Sequence, residues 1–282
     1  MNIQKARELG FCFGVRRAIR IIEYEAGKGK RIATLGPIVH NKMVVARLEG
    51  LGVEVVDNIE SIKEGLIALS SHGVSPAMLA RISQTSNNVI DTTCPIVRSA
   101  QKAAQQLAKA GFGVIIFGDA QHPEVKGLLG WAGRNAVALA DAESIVLERL
   151  SRRIGIIAQT TQTQDDFIDF VNCLSQRLLP QAREIRVINT LCQETQKRQL
   201  AAREIAASSD LMIVVGGHDS ANTRHLAEVC SDRVETYHIE NAAEINPNWL
   251  KGKKAVGITA GASTPDEAIN QVIDRLESIA AE

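Results

Sequence analysis

The sequence predicts an α/β protein with parallel sheets, written three times over. Three observations carry that reading. Short, continuous Ile/Val/Leu runs alternate with amphipathic segments along the 282-residue chain. Such runs are how strands buried on both faces read, and their alternation with helices implies parallel sheets with helical crossovers. The third observation is an internal repeat. Cys12, Cys94 and Cys192 are each followed 24 residues later by a glycine closing an apolar run (Gly36, Gly118 and Gly216), and 28 residues later by a polar residue (His40, His122 and Ser220).

In chain order, the predicted strands are 32–35 (IATL), 65–70 (GLIALS), 113–117 (GVIIF), 153–159 (RIGIIAQ), 211–216 (LMIVVG) and 255–260 (AVGITA). Helices are predicted between them, among them 95–110 and 193–208. Each third also carries a second strand-end loop: SSHGVS at 70–75, AQTTQT at 158–163 and AGASTP at 260–265. The expected units are 1–94, 95–191 and 192–282, each presenting two polar loops where α/β sheets bind ligands, at the carboxyl ends of their strands.

Composition narrows the function classes. Apolar residues make up 45 % and charged residues 23 % of the chain, as in a globular protein. Lys plus Arg equal Asp plus Glu at 32 each, which gives no support to a nucleic-acid or membrane-surface role. The apolar runs are too short to span a bilayer and the N-terminal residues have no apolar signal core, so the expected location is cytoplasmic. Five cysteines, an odd number, argue against a disulfide framework and for metal binding or catalysis.

Cys12, Cys94 and Cys192 each precede a helical run, and Pro95 suits a first helical position. A helix N-terminus favours thiolate over thiol. Three thiolates, one per unit, could hold tetrahedral zinc or an iron–sulfur group with one iron open, or be structural cysteines; the spacing leaves these open. Cys173 and Cys230 lie within helical runs and read as packing residues. His40, His72 and His122 fall in post-strand loops. With Thr160, Thr161, Ser220, Asn222 and Ser263 they form a set of donors suited to an anion with many oxygens, such as a diphosphate. His218, His225 and His238 have no such positional argument and read as surface or packing residues. Glu124, in HPE at 122–124, is a candidate general acid; a helix N-terminus would lower its pKa and burial would raise it.

The ordered set GFCFGVRRAI, GPIVHNKMVV, SSHGVS, DTTCPIV, HPEVKG, QTT, NTLCQETQKRQ, GGHDSANT and TAGASTPD, from residue 10 to about 266, resembles the 4-hydroxy-3-methylbut-2-enyl diphosphate reductase family, also called LytB. The resemblance implies three α/β domains arranged as a trefoil around a [4Fe–4S] cluster. Cys12, Cys94 and Cys192 stand at its ligand positions, leaving one iron open to the substrate hydroxyl. It implies substrate contacts from His40, His72, His122, Thr160, Thr195, Ser220, Asn222 and Ser263, and catalytic roles for Glu124, Thr160 and His122. The implied reaction is reductive dehydroxylation to isopentenyl and dimethylallyl diphosphate, the last step of the methylerythritol phosphate route. Its electrons would come from a ferredoxin or flavodoxin, with neither nucleic acid nor membrane involved. The alternatives are an iron–sulfur hydro-lyase, for which no arginine clamp stands in the loops, and a non-enzymatic metal or redox sensor, which would not need the Glu124/Thr160 pair. Two residues depart from the family pattern. Ala221 stands where a serine is commoner, and Glu194 puts a negative charge after Cys192.

Overall fold

The computed structural model describes residues 1–62, 65–85, 88–146 and 151–281. Twelve strands are described: β1 (Asn2–Lys5), β2 (Ile32–Leu35), β3 (Val53–Val56), β4 (Leu66–Leu69), β5 (Asn88–Asp91), β6 (Gly113–Phe117), β7 (Ala136–Leu139), β8 (Arg153–Ala158), β9 (Glu184–Val187), β10 (Leu211–Val215), β11 (Thr236–Ile239) and β12 (Ala255–Ala260). Between them run α1 (Phe13–Ala26), α2 (Lys42–Glu49), α3 (Pro76–Ser83), α4 (Pro95–Lys109), α5 (Pro123–Ala132), α6 (Gln164–Leu178), α7 (Gln193–Ala206), α8 (Ala221–Ser231) and α9 (Asp266–Ala281).

The strands form three four-stranded sheets, β3-β2-β4-β5, β7-β6-β8-β9 and β11-β10-β12-β1, and every pairing is parallel. The three orders are the same when read in chain sequence, with one displacement. The fourth strand of the third sheet comes from the N-terminus, Asn2 to Lys5 lying beside Ala255 to Ile258. The sequence-based unit 1–94 therefore differs from the sheet: its first residues complete the third sheet, and the first sheet starts at β2. Pairing partners of a short strand are set by what its side chains pack against rather than by its place in the chain.

The apolar runs are continuous because both faces of each sheet are covered. In the second sheet, Ile115, Phe117, Ile154 and Ile156 point to one face and pack with Phe167, Phe170 and Leu174 of α6. Val114, Ile116 and Ile157 point to the other and meet Ala104 and Leu107 of α4 and Val125 and Leu128 of α5. In the third sheet, Leu211, Ile213, Val256 and Ile258 meet Val272 and Leu276 of α9. Met212 and Val214 meet Ala202 of α7 and Leu226 of α8 on the opposite face. Each fully buried Leu or Ile is worth about 2–3 kcal/mol relative to exposure.

The helices after Cys94 and Cys192 are crossovers. Cys94 follows β5 of the first sheet, yet α4 packs on the second; Cys192 follows β9 of the second, yet α7 packs on the third.

The described chain divides into two compact units. One comprises Met1–Arg16, Val39–Leu48 and Gln193–Glu282; the other comprises Arg17–Ile38 and Glu49–Cys192 and contains the first two sheets. Within the second, α5 is drawn onto the loop before α3. The Trp131 Nε1–H donates to the Val74 carbonyl at 2.9 Å. A Cβ on Gly130 would stand 2.4 Å from Ser75 Cβ, so only glycine permits that approach.

Candidate active site

The repeat seen in the sequence is a repeat of hydrogen bonds. Gly36, Gly118 and Gly216 donate their N–H to Val56, Leu139 and Ile239, the last residues of β3, β7 and β11, at 2.9, 2.9 and 2.8 Å. Their φ angles are +70°, +157° and +151°, which explains a glycine at this point in all three. The cysteines obey a second rule. Cys12, Cys94 and Cys192 donate their N–H to Ala262, Ser71 and Thr160 at 3.0, 2.9 and 2.9 Å. Each acceptor stands two residues beyond the end of the neighbouring central strand (β12, β4 or β8). Each cysteine thus leaves its edge strand, is tied to the second polar loop of its own sheet, and begins a helix.

In the unit that holds the first two sheets, these bonds join the candidate residues into one line. The Thr160 carbonyl holds Cys192. Thr160 gives its N–H to Glu124 Oε1 at 2.7 Å and its hydroxyl is 2.9 Å from Oε2. The Glu124 N–H donates to His122 Nδ1 at 3.2 Å, so His122 caps α5 and its proton is on Nε2, the nitrogen left to donate outward. The His122 ring meets that of His72 edge to face, centroids 5.3 Å apart. Ser71, beside His72, holds Cys94.

Glu124 is 2 % exposed. Burial raises its pKa from the ordinary 4.5 to about 7, against the opposing effect of the two Thr160 bonds. Sequence reasoning leaves helix N-terminus and burial in opposition here; in the folded protein burial wins. A carboxyl poised near neutrality can both give and take a proton.

The other compact unit gathers a different set. Ser220 caps α8, its Oγ accepting the Thr223 N–H at 3.3 Å. Asn222 is buried, and its Nδ2 has no hydrogen-bond partner among the described residues. Ser263, the residue after Cys12's acceptor, donates its hydroxyl to the His40 carbonyl at 3.4 Å. His40 stands one residue before Asn41, whose side chain takes the Val44 N–H and starts α2. Burial lowers the pKa of His40; Asp219 raises it and Arg224 lowers it to smaller extents. Thr195 is buried in the first turn of α7. A helix N-terminus, an unspent amide donor and two serines suit an anion.

A family model described as LytB protein matches residues 3–277. The chain belongs to the LytB family. It is 46 % identical over 282 residues to the 4-hydroxy-3-methylbut-2-enyl diphosphate reductase of Dehalococcoides mccartyi strain CBDB1, covering 100 % of this chain and 99 % of the relative. It is 42 % identical over 278 residues to the enzyme of that name from Geobacter sulfurreducens, covering 98 % and 97 %. A solved structure of (E)-4-hydroxy-3-methyl-but-2-enyl diphosphate reductase, the terminal enzyme of the non-mevalonate pathway, is similar with a TM-score of 0.70. It is 38 % identical and matches 99 % of this chain and 100 % of that one. The Plasmodium falciparum reductase superposes with a TM-score of 0.90 at 26 % identity, over 97 % and 87 % of the two chains.

LytB membership implies an iron–sulfur cofactor in general terms, and the donor set fits one. Cys12, Cys94 and Cys192 are partly exposed thiols in one repeated frame, and no disulfide joins any of the five cysteines. Cys12 Sγ also accepts the Val15 N–H of the first turn of α1 at 3.5 Å. Cys230 is the opposite case: it lies in the core and burial pushes its pKa up to about 12. Cys173 packs against the α6 face of the second sheet. Both departures from the LytB pattern have a local account. Glu194 is partly exposed and pairs with Lys197 at 3.1 Å on the surface of α7. Ala221 is buried at the first residue of α8 and contributes no side-chain donor.

Sequence reasoning missed part of the setting. Gln159 is buried and its Oε1 takes the Asp119 N–H at 3.1 Å, fixing the loop between β6 and α5 that carries His122. His238, read as surface or packing, places Nε2 2.9 Å from the Gly216 carbonyl. The His218 ring lies tilted against it, centroids 4.5 Å apart. Arg198 is buried in α7. Among the described residues no helix is long and apolar enough to cross a membrane.

Proposed function

We propose that the chain converts (E)-4-hydroxy-3-methylbut-2-enyl diphosphate to isopentenyl and dimethylallyl diphosphate. The balance is fixed by the chemistry. Two electrons and two protons enter, the C–O bond to the hydroxyl breaks, one C–H bond forms, and water leaves. A [4Fe–4S] cluster held by Cys12, Cys94 and Cys192, one iron open, would supply electrons and Lewis acidity at the hydroxyl. A ferredoxin- or flavodoxin-type protein would deliver the electrons singly.

The chain's own residues account for the rest. His40, Ser220, Asn222 and Ser263 bind the diphosphate, with the N–H groups opening α8, and so orient the substrate. His72 and Thr195 complete the contacts to the substrate. Glu124 supplies protons at its carboxyl. The Thr160 hydroxyl, 2.9 Å from Oε2, relays the proton and holds the carboxyl in place, and His122 offers its Nε2–H to the substrate.

The observation that carries this reading is the buried Glu124 carboxyl, held twice by the residue whose carbonyl also fixes Cys192. It supports a proton donor built into the frame of a metal ligand. Anaerobically purified protein is expected to be brown and to contain about four irons. With dithionite and a mediator it should consume the hydroxylated C5 diphosphate. Tight zinc with no iron after anaerobic reconstitution would sink the reading.

A further inference from the structure

Apart from histidine and cysteine, two side chains with ionisable groups are buried among the described residues, Glu124 and Arg198. The mechanism uses the first and leaves the second unexplained. Arg198 lies in α7, 4 % exposed. Its Nη1 donates to the Glu8 carbonyl at 2.8 Å and the Ala260 carbonyl at 3.1 Å, and its Nη2 donates to the Gly10 carbonyl at 3.1 Å.

Those partners acquire meaning from the other two sheets. Two residues before Cys94 stands Thr92, whose hydroxyl donates to the carbonyl of Leu69, the last residue of β4. Two residues before Cys192 stands Thr190, whose hydroxyl donates at 2.5 Å to the carbonyl of Ala158, the last residue of β8. Each threonine latches the cysteine-bearing segment to its central strand. Two residues before Cys12 stands Gly10, which has no hydroxyl. The carbonyl at the equivalent strand end, that of Ala260 in β12, takes a guanidinium N–H from Arg198 instead, and the same guanidinium holds Gly10.

We infer that Arg198 is a positioning residue for Cys12, the long-range replacement for the threonine latch of the other two cysteines. A guanidinium suits the task because its planar fork holds several carbonyls at once and stays charged at any accessible pH. It is needed because the Cys12 segment is not continuous in sequence with the strand it must meet. That Cys12 holds iron rests on the reading above; that Arg198 sets its position does not.

The test uses the metal-free full chain, kept reduced, with iodoacetamide as probe and mass spectrometry resolving each cysteine. Arg198→Met is expected to raise the alkylation rate of Cys12 by about tenfold, as loss of charge-assisted bonds frees its segment, while Cys94 and Cys192 change less than about twofold by the same bookkeeping. Thr92→Val should show the converse, with Cys94 alone accelerated. Equal acceleration of all three cysteines in Arg198→Met would mean general loosening and overturn the assignment, as would an unchanged Cys12 rate. If Arg198→Met does not fold, Arg198→Lys decides it. A single ammonium cannot span Gly10 and Ala260 together, so selective acceleration of Cys12 is again expected, and wild-type rates there would overturn the latch. Failure of the function itself would show separately, as absence of iron uptake with the thiol pattern intact.

Discussion

Replacing Glu124 with Gln tests the site's electrostatics and its chemistry in one variant. A carboxyl raised from 4.5 to about 7 by burial keeps its proton in the folded chain across a window where the unfolded chain has lost it. Unfolding then releases a proton, so stability falls as pH rises through that window. The contribution is fully present below 4.5 and gone once pH has passed about 7. It amounts to about 3 kcal/mol, from roughly 1.4 kcal/mol per tenfold change in proton affinity. Glutamine matches the neutral acid in shape, keeps an acceptor for the Thr160 N–H and carries no titration. Urea denaturation of both proteins between pH 5 and pH 8, anaerobically, should show the variant gaining up to about 3 kcal/mol relative to wild type as pH rises. Turnover should fall by roughly 10²–10⁴-fold with KM little changed, because the lost group acts on the proton and not on the diphosphate. A stability difference independent of pH would mean Glu124 is ionised throughout and would refute the argument. Wild-type turnover would remove Glu124 from the reaction.

Thr160→Val removes the hydroxyl bond that holds the Glu124 pKa down and leaves the backbone bond in place. Its pH–rate profile should move to higher pH with lower kcat, and an unmoved profile would count against the pairing. Ala221→Ser adds one donor at the opening of α8; one hydrogen bond of about 1 kcal/mol should lower KM for the diphosphate roughly fivefold. An unchanged or raised KM would place the anion elsewhere. Gly130→Ala sets a methyl 2.4 Å from Ser75 Cβ. It should cost about 1–3 kcal/mol by urea denaturation, and an unshifted midpoint would show that α5 can retreat freely.

The six strands legible in the sequence are the two central strands of each sheet. β6 is buried at all five positions, so it reads as an unbroken apolar run. The edge strands escaped notice because one side meets solvent and their residues are mixed: Asn2–Lys5, Asn88–Asp91 and Glu184–Val187 carry charged or amide groups and little burial. No local pattern says that Asn2–Lys5 belongs beside residues at the far end of the chain. The candidate cysteines and loops were legible because the repeat preserves forward spacing. Arg198 was not, because the repeat breaks at Gly10, and the replacement arrives from a different element. The Glu124 pKa could not be read from the sequence at all, since it depends on how completely neighbouring strands and loops exclude water.

The third sheet is closed by β1, a strand synthesised well before the other three strands of that sheet. Cys12 is made long before residues 255–262, yet the carbonyl that fixes its N–H belongs to Ala262 and the strand beside β1 is Ala255–Ala260. Its place is therefore created only once residues 255–262 exist. Loading of a metal group that needs Cys12 must follow synthesis of the chain through Ala262, and the thiol must stay reduced for that entire interval. Ribosome-bound chains that stop short of β12 should accordingly alkylate at Cys12 as fast as an unfolded peptide. Protection before that point would show that some earlier segment receives the strand.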